Sequence, residues 1–215
     1  MRPSTRLGSR CPSWGSLNSQ TALSGNTYSN DELGVIFHFP AGWTANFDPG
    51  HSVSFGKDPD GPANRCTRIL LRFQSPRKVK GWFRAWGALL AIDPDCLATA
   101  PFPASAGQEN AAQINDFAER IYQLYHPAPF FPPSGVDISA DHAGAQNGPV
   151  TVYLEGKGLR DIDETDPTTK RDPVPVSTIF AIMRAPGLWV AWASMADDHS
   201  RAELIKKAKL EVMQQ

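Results

Sequence analysis

The stretch Thr178-Ile-Phe-Ala-Ile-Met-Arg-Ala-Pro-Gly-Leu-Trp-Val-Ala-Trp-Ala-Ser-Met195 is apolar on nearly every residue and is broken at its centre by Pro186-Gly187. Proline fixes its own φ and removes a donor, and glycine accepts the positive φ of a tight turn, so the pair marks a reversal. Thr178 to Arg184 and Leu188 to Met195 are therefore the two arms of a hairpin. A sheet with one wet face alternates apolar and polar residues; these arms do not, so both faces must be covered. Helices are the usual cover for such strands. The expected fold is α+β, an α-β-α sandwich with a mainly antiparallel central sheet and helices on both faces.

Working outward, Ser200 followed three residues later by Glu203 reads as a capping box, and Leu204, Ile205, Ala208 and Val212 as the buried stripe of a closing helix. Before the hairpin, Val150 to Leu154 reads as a strand, separated from it by an acidic loop from Asp161 to Pro173. Ile114, Phe117, Ala118, Ile121 and Tyr125 stripe a helix from Gln108 to Tyr125, which His126-Pro127 ends. Val79, Trp82, Phe83, Trp86, Leu89 and Leu90 follow helical spacing too, with Lys78, Lys80 and Arg84 on the wet side. Short strands are expected at Ser52 to Phe55 and Cys66 to Phe73, and another where Val35, Phe37 and Phe39 alternate with Ile36 and His38 before Pro40 and Gly42. Residues 1–26 are rich in Ser, Gly, Asn and Arg without periodicity, the composition of a disordered leader or linker. Residues 27–215 then form one domain, with no internal repeat.

That early strand lies in Tyr28-Ser-Asn-Asp-Glu-Leu-Gly-Val-Ile-Phe-His-Phe-Pro-Ala-Gly-Trp43. Tyr28, Asn30, Gly34, Phe37, Phe39, Pro40 and Trp43 resemble the opening of the PsbP-like (Mog-type) superfamily: Tyr, a polar turn, Gly, alternating aromatics, Pro and Trp. Leu33 and Val35 depart from it where aromatics are common. The resemblance implies the same α-β-α sandwich, and a domain that docks on other proteins rather than an enzyme. It implies that the opening is a structural corner: Gly34 for the turn, Phe37 and Phe39 as plugs of the sheet face, Pro40 and Gly42 turning Trp43 over the edge.

Composition is that of an ordinary globular chain, 41% hydrophobic and 20% charged, while 19 prolines and 17 glycines predict many turns. Lys plus Arg number 21 against 22 Asp plus Glu, a net charge of -1, which supplies no broad positive field for nucleic acid or anionic membrane. No apolar run approaches the ~18 residues of a membrane-spanning helix, and the composition is compatible with a monomer. Arg2, Arg6 and Arg10 give the start a basic character without the apolar core of a secretory signal, and Arg10 opposes a lipoprotein reading of Cys11. Localisation stays open: extracytoplasmic if the start is truncated, cytoplasmic otherwise. Cys66 and Cys96 could pair in an oxidising compartment; free buried thiols are the other reading.

No G-x-S-x-G elbow, Walker loop or HExxH helix is present, and Gly156-Lys-Gly158 lacks the third glycine of a dinucleotide loop. No cofactor and no metal site is expected. Asp161, Asp163, Glu164 and Asp166 could offer oxygens to calcium, but the glycine and the twelfth-position glutamate of an EF-hand are missing, and a solvated hairpin loop is preferred. Asp141-His142 and Asp198-His199 are possible acid-base neighbours, and His38 stands alone among aromatics. Trp82, Trp86, Trp189 and Trp192 could floor a pocket, although their spacing favours the core. Phe130 and Phe131, on the proline-stiffened segment Ala128 to Gly135, cannot both hide easily and are the candidate protein-partner contact. The expected function is a non-enzymatic protein-binding or assembly module. The alternative is a small-ligand binder or hydrolase-like enzyme with a pocket between sheet and helices and His142 or His199 as base.

Overall fold

In the computed structural model the described residues are 21–47, 58, 60–97, 111–125, 151–163, 166–185 and 187–212. Their elements run β1 (Thr21–Ser24), β2 (Thr27–Asn30), β3 (Val35–His38), β4 (Thr44–Asn46), α1 (Pro62–Arg65), β5 (Thr67–Val79), β6 (Phe83–Ile92), α2 (Pro94–Leu97), α3 (Ala111–Tyr125), β7 (Thr151–Asp163), β8 (Asp166–Ala185), β9 (Leu188–Ala196), α4 (Asp198–Lys207) and β10 (Lys209–Val212). β1 lies within the stretch whose composition reads as a leader.

The Pro-Gly hairpin is β8 and β9, in register from Ala185↔Leu188 to Ser177↔Ala196, with Gly187 at φ 71°. It belongs to a six-stranded antiparallel sheet of order β4-β5-β6-β9-β8-β7. Both its faces are dry, as the missing alternation requires. On one face Leu90 and Ile92 of β6, Phe180 and Ile182 of β8 and Ala191 of β9 pack against Phe117, Ile121 and Tyr125 of α3. On the other, Leu89, Ala181, Val190 and Trp192 meet Tyr28, Val35, Phe37 and Phe39.

Those last residues belong to a second antiparallel sheet, of order β1-β2-β3-β10, and this corrects the α-β-α sandwich with helices on both faces. The described residues are mostly β, with one face of the large sheet covered by another sheet. A strand apolar on every residue records that something dry lies on each side; it does not record whether that cover is a helix or a sheet. α4 adds to this second face through Leu204, while Ile205 is exposed.

A second correction concerns residues 79–90, which form the β5–β6 hairpin and not a helix. Lys80 and Gly81 both have positive φ, 49° and 75°, and the Trp82 N–H donates to the Val79 carbonyl at 3.2 Å. Two positive-φ residues give a turn the twist that strand pairs favour. The helical spacing arose because β6 is buried on both faces and its apolar residues satisfy any period. Gly81 and Gly87, each worth about 1 kcal/mol against a helix interior, carried the contrary signal.

α4 is capped by Asp197, whose side chain accepts from the His199 N–H, and Ser200 donates its hydroxyl to the same carboxylate at 2.7 Å. The closing helix thus starts earlier than a Ser200 cap predicts. It also ends earlier: at Ala208 the chain becomes extended, and β10 pairs with β3 from Lys209↔His38 to Val212↔Val35. The acidic stretch from Asp161 is the distal end of the β7–β8 pair, where Lys170 lies 3.3 Å from Asp161 and Arg171 3.3 Å from Asp166. The strand expected at Ser52 to Phe55 lies outside the described residues.

The opening motif does the structural work its residues suggest. Asn30 Oδ1 accepts the Leu33 N–H at 2.8 Å, Gly34 takes φ 62°, and the Trp43 N–H donates to the Pro40 carbonyl. Tyr28, Phe37 and Phe39 are fully buried, and the Trp43 Nε1–H reaches Glu203 Oε2 of α4 at 3.1 Å. Cys66 and Cys96 are joined by a disulfide across 30 residues, tying α1 to α2 beside α3. Next to it the buried Tyr125 hydroxyl and Thr67 Oγ1 are 2.6 Å apart, and burial pushes the Tyr125 phenol up.

One surface pair gives a pH prediction. Arg201 of α4 donates to Glu155 of β7 from two guanidinium nitrogens, Nε and Nη2, at 2.5 and 2.7 Å, and this hydrogen bonding holds the Glu155 carboxyl below its ordinary 4.5. A depressed carboxyl contributes stability above its unfolded value and loses it as pH falls through the folded value. Glu155→Gln is therefore expected to lower the melting temperature at pH 7 and to flatten its decline below pH about 4.5. Parallel wild-type and variant slopes on the acid limb would contradict the assignment.

A candidate binding groove beyond the end of helix α3

α3 covers the half of the large sheet formed by the start of β5, the end of β6 and the start of β7. Among the described residues no helix lies on the other half of that face. Cross-strand register places Arg72 beside Ala88 and Gln74 beside Trp86, so Arg72, Gln74 and Trp86 point to the same side as the α3 contacts. Two clefts of about 230 and 290 Å³ open there and share Gln74 and Trp86. The first is lined further by Lys78, Trp82, Arg84, Arg160, Ile162 and Asp163, the second by Thr44, Asn46 and Arg72.

Local chemistry fixes these side chains. Arg84 donates to the carbonyls of Ser75 and Pro76 at 3.2 and 2.9 Å, where β5 is irregular between Gln74 and Lys78. Lys80 Nζ donates to the Pro173 carbonyl at 2.7 Å and Trp82 Nε1 to that of Asp172 at 3.2 Å, tying the β5–β6 turn to β8. Arg160 Nε donates to the Ile162 carbonyl at 3.0 Å, and Asp163 lies 4.0 Å from Arg171.

Gly87, next to Trp86 in β6, is tightly packed on the opposite face. Gly87 pairs with Phe73, whose ring fills the space a side chain would take, and a Cβ there would also lie 2.6 Å from the Ala193 carbonyl oxygen. Gly87→Ala is expected to cost about 1–3 kcal/mol by overpacking and to displace Trp86, read as a lower urea midpoint with a shifted tryptophan emission. An unchanged midpoint would show that the ring has room to move.

Phe130 and Phe131, like Asp141 and His142, lie outside the described residues. His199 is exposed and lines neither cleft. His38 is half-exposed and satisfied: its Nδ1 is 3.0 Å from Thr27 Oγ1 and its Nε2 3.9 Å from Glu211. Asp161, Asp163 and Asp166 face Lys170 and Arg171, the arrangement of a surface hairpin. Of the four tryptophans that could floor a pocket, Trp189 and Trp192 are core, whereas Trp82 and Trp86 are half-buried and line a cleft. No family model, no curated protein and no solved structure matches the chain. Sequence reasoning missed Arg72, Gln74 and Arg160. The signal for the first two was present, since polar Arg72 and Gln74 alternate with buried Leu71 and Phe73, the mark of a half-wet strand.

Proposed function

We propose that the chain is a non-enzymatic binding module that docks a protein partner along the groove at Trp86. The observation that carries this reading is the pair of adjoining shallow clefts around one half-buried indole, rimmed by Arg and Lys. Each is below the ~300 Å³ at which small-molecule pockets begin, and a shallow trough suits a chain segment better than an enclosed ligand. Tryptophan and arginine are also the residues that most often anchor interfaces. The likeness of Tyr28 to Trp43 to the PsbP-like opening supports docking too, because members of that superfamily mostly act by docking on other proteins. The Cys66–Cys96 bond supports residence in an oxidising compartment.

Trp86→Ala is expected to weaken a bound partner by about 2 kcal/mol or more, read by comparing proteins recovered with wild type and variant from the native extract. The Phe130→Ala/Phe131→Ala variant reads the contact nominated by sequence in the same assay. Partners recovered in equal amounts by wild type and Trp86→Ala, with both proteins folded by circular dichroism, would refute docking at this groove.

A further inference from the structure

We infer that the outer edge of β7 pairs with the same edge of a second copy of this chain, antiparallel about Gly156, so that the large sheet continues from one molecule into the next. The inference stands apart from the groove at Trp86. β7 ends the order β4-β5-β6-β9-β8-β7, and among the described residues no strand pairs with its outer side. Such an edge offers backbone donors and acceptors to any strand that fits it.

Register shows which residues face outward. Ala185 and Leu188 pair with two residues between them, and a link that short is closed by a hydrogen-bonded pair. Hydrogen-bonded and open pairs alternate along an antiparallel ladder. Ala181, Ile179 and Ser177 thus turn their N–H and C=O groups to β9, and Pro175, with no N–H to lose, falls in the same series. Their β7 partners Tyr153, Glu155, Lys157 and Leu159 sit in open pairs and turn these groups outward. The Gly156 carbonyl points the other way, toward β8, where the Thr178 hydroxyl donates to it at 3.4 Å.

Side chains choose the occupant. Paired about Gly156, Glu155 stands opposite Lys157 of the second copy and Tyr153 opposite its Leu159, each contact occurring twice by symmetry. The ladder then holds about eight backbone hydrogen bonds. All four side chains lie on the face that carries α4, where Tyr153 meets Trp192 edge-on and Glu155 is held by Arg201. A carboxylate bound by two guanidinium nitrogens keeps lone pairs for a lysine. Leu159 is 65% exposed, and the second copy's Tyr153 covers it in this pairing. Outward residues pair only with outward residues, so the register moves two residues at a time. One step either way sets Glu155 against Glu155 or Lys157 against Lys157, and like charges directly opposite are unfavourable. A lysine on an edge ordinarily repels a further strand; this one finds its countercharge on a second copy of its own edge.

Sedimentation equilibrium of the full chain is expected to show monomer passing to dimer between about 1 and about 100 μM. Lys157→Glu sets glutamate against Glu155 on both sides of the axis. Leu159→Pro removes an outward N–H and leaves the bonds to β8 intact, the one place a strand tolerates proline. Each variant is expected to raise the dimer dissociation constant about tenfold or more, with the circular dichroism of the wild type. Lys157 is exposed, so its replacement keeps the test valid should Leu159→Pro fail to fold. Carbodiimide, which joins a carboxylate directly to a lysine, is expected to give a covalent dimer linked from Lys157 of one copy to Glu155 of the other. A wild type that stays monomeric throughout would overturn the inference. So would a dimer that Lys157→Glu leaves intact, or a covalent dimer linked only through other residues.

Discussion

Phe73→Ala is expected to lower the stability of the chain by about 3–5 kcal/mol. Phe73 is 1% exposed and is the ring through which the two sheets meet: its centroid lies 5.4 Å from Phe37, 5.9 Å from Phe39 in a stacked arrangement, and 6.0 Å from Trp43. Removing it opens a cavity walled by other aromatics that cannot collapse into the space, because each is held in its own strand or turn. It also strips the cover from Gly87, so the effect should reach Trp86 on the opposite face. Urea denaturation checks this: the midpoint falls, the slope stays near the wild-type value, and native-state tryptophan emission changes. A loss below about 1 kcal/mol would mean that Phe73 is not at a sheet-on-sheet interface.

Breaking the Cys66–Cys96 bond should have a comparable effect. In the chain-entropy model a bridge across 30 residues is worth about 3–4 kcal/mol. The bond also ties α1 to α2 within the core cluster that includes Phe117, Ile121 and Tyr125 of α3, so its loss should be felt first where α3 meets the sheet. In a Cys11→Ser background, which leaves no third thiol to exchange, dithiothreitol is expected to lower the urea midpoint of the parent and leave the Cys66→Ala/Cys96→Ala variant unchanged. A parent insensitive to reductant would contradict the bond.

The hairpin at Pro186-Gly187 was legible because its turn chemistry and the missing alternation point to one structure, and the helix ending at Tyr125 because Phe117, Ile121 and Tyr125 keep one face over several turns. The opening corner was legible for the same reason, since Asn30, Gly34 and Pro40 each have a local geometric role. The identity of the cover was not legible, because burial leaves the same mark on a strand whether a helix or a sheet lies above it. Nor was β6, in which a strand apolar on both faces mimics helical spacing. The groove was half legible: Arg72 and Gln74 advertise a wet face in their own strand. That Trp86, Arg84 and Arg160 join them depends on cross-strand register and on the reach of α3, which are set by long-range pairing.

The central claim is that β3 lies flat on the large sheet and so supplies the cover expected of a helix. Phe37 of β3 and Trp192 of β9 are far apart in sequence, with ring centroids 6.4 Å apart. Nuclear Overhauser spectroscopy on the labelled protein should show cross-peaks between the Phe37 ring and the Trp192 indole, and between Phe37 and Phe73. Cross-peaks from Trp192 to side chains of a helix, with none to Phe37, would contradict the two-sheet arrangement and the groove built upon it.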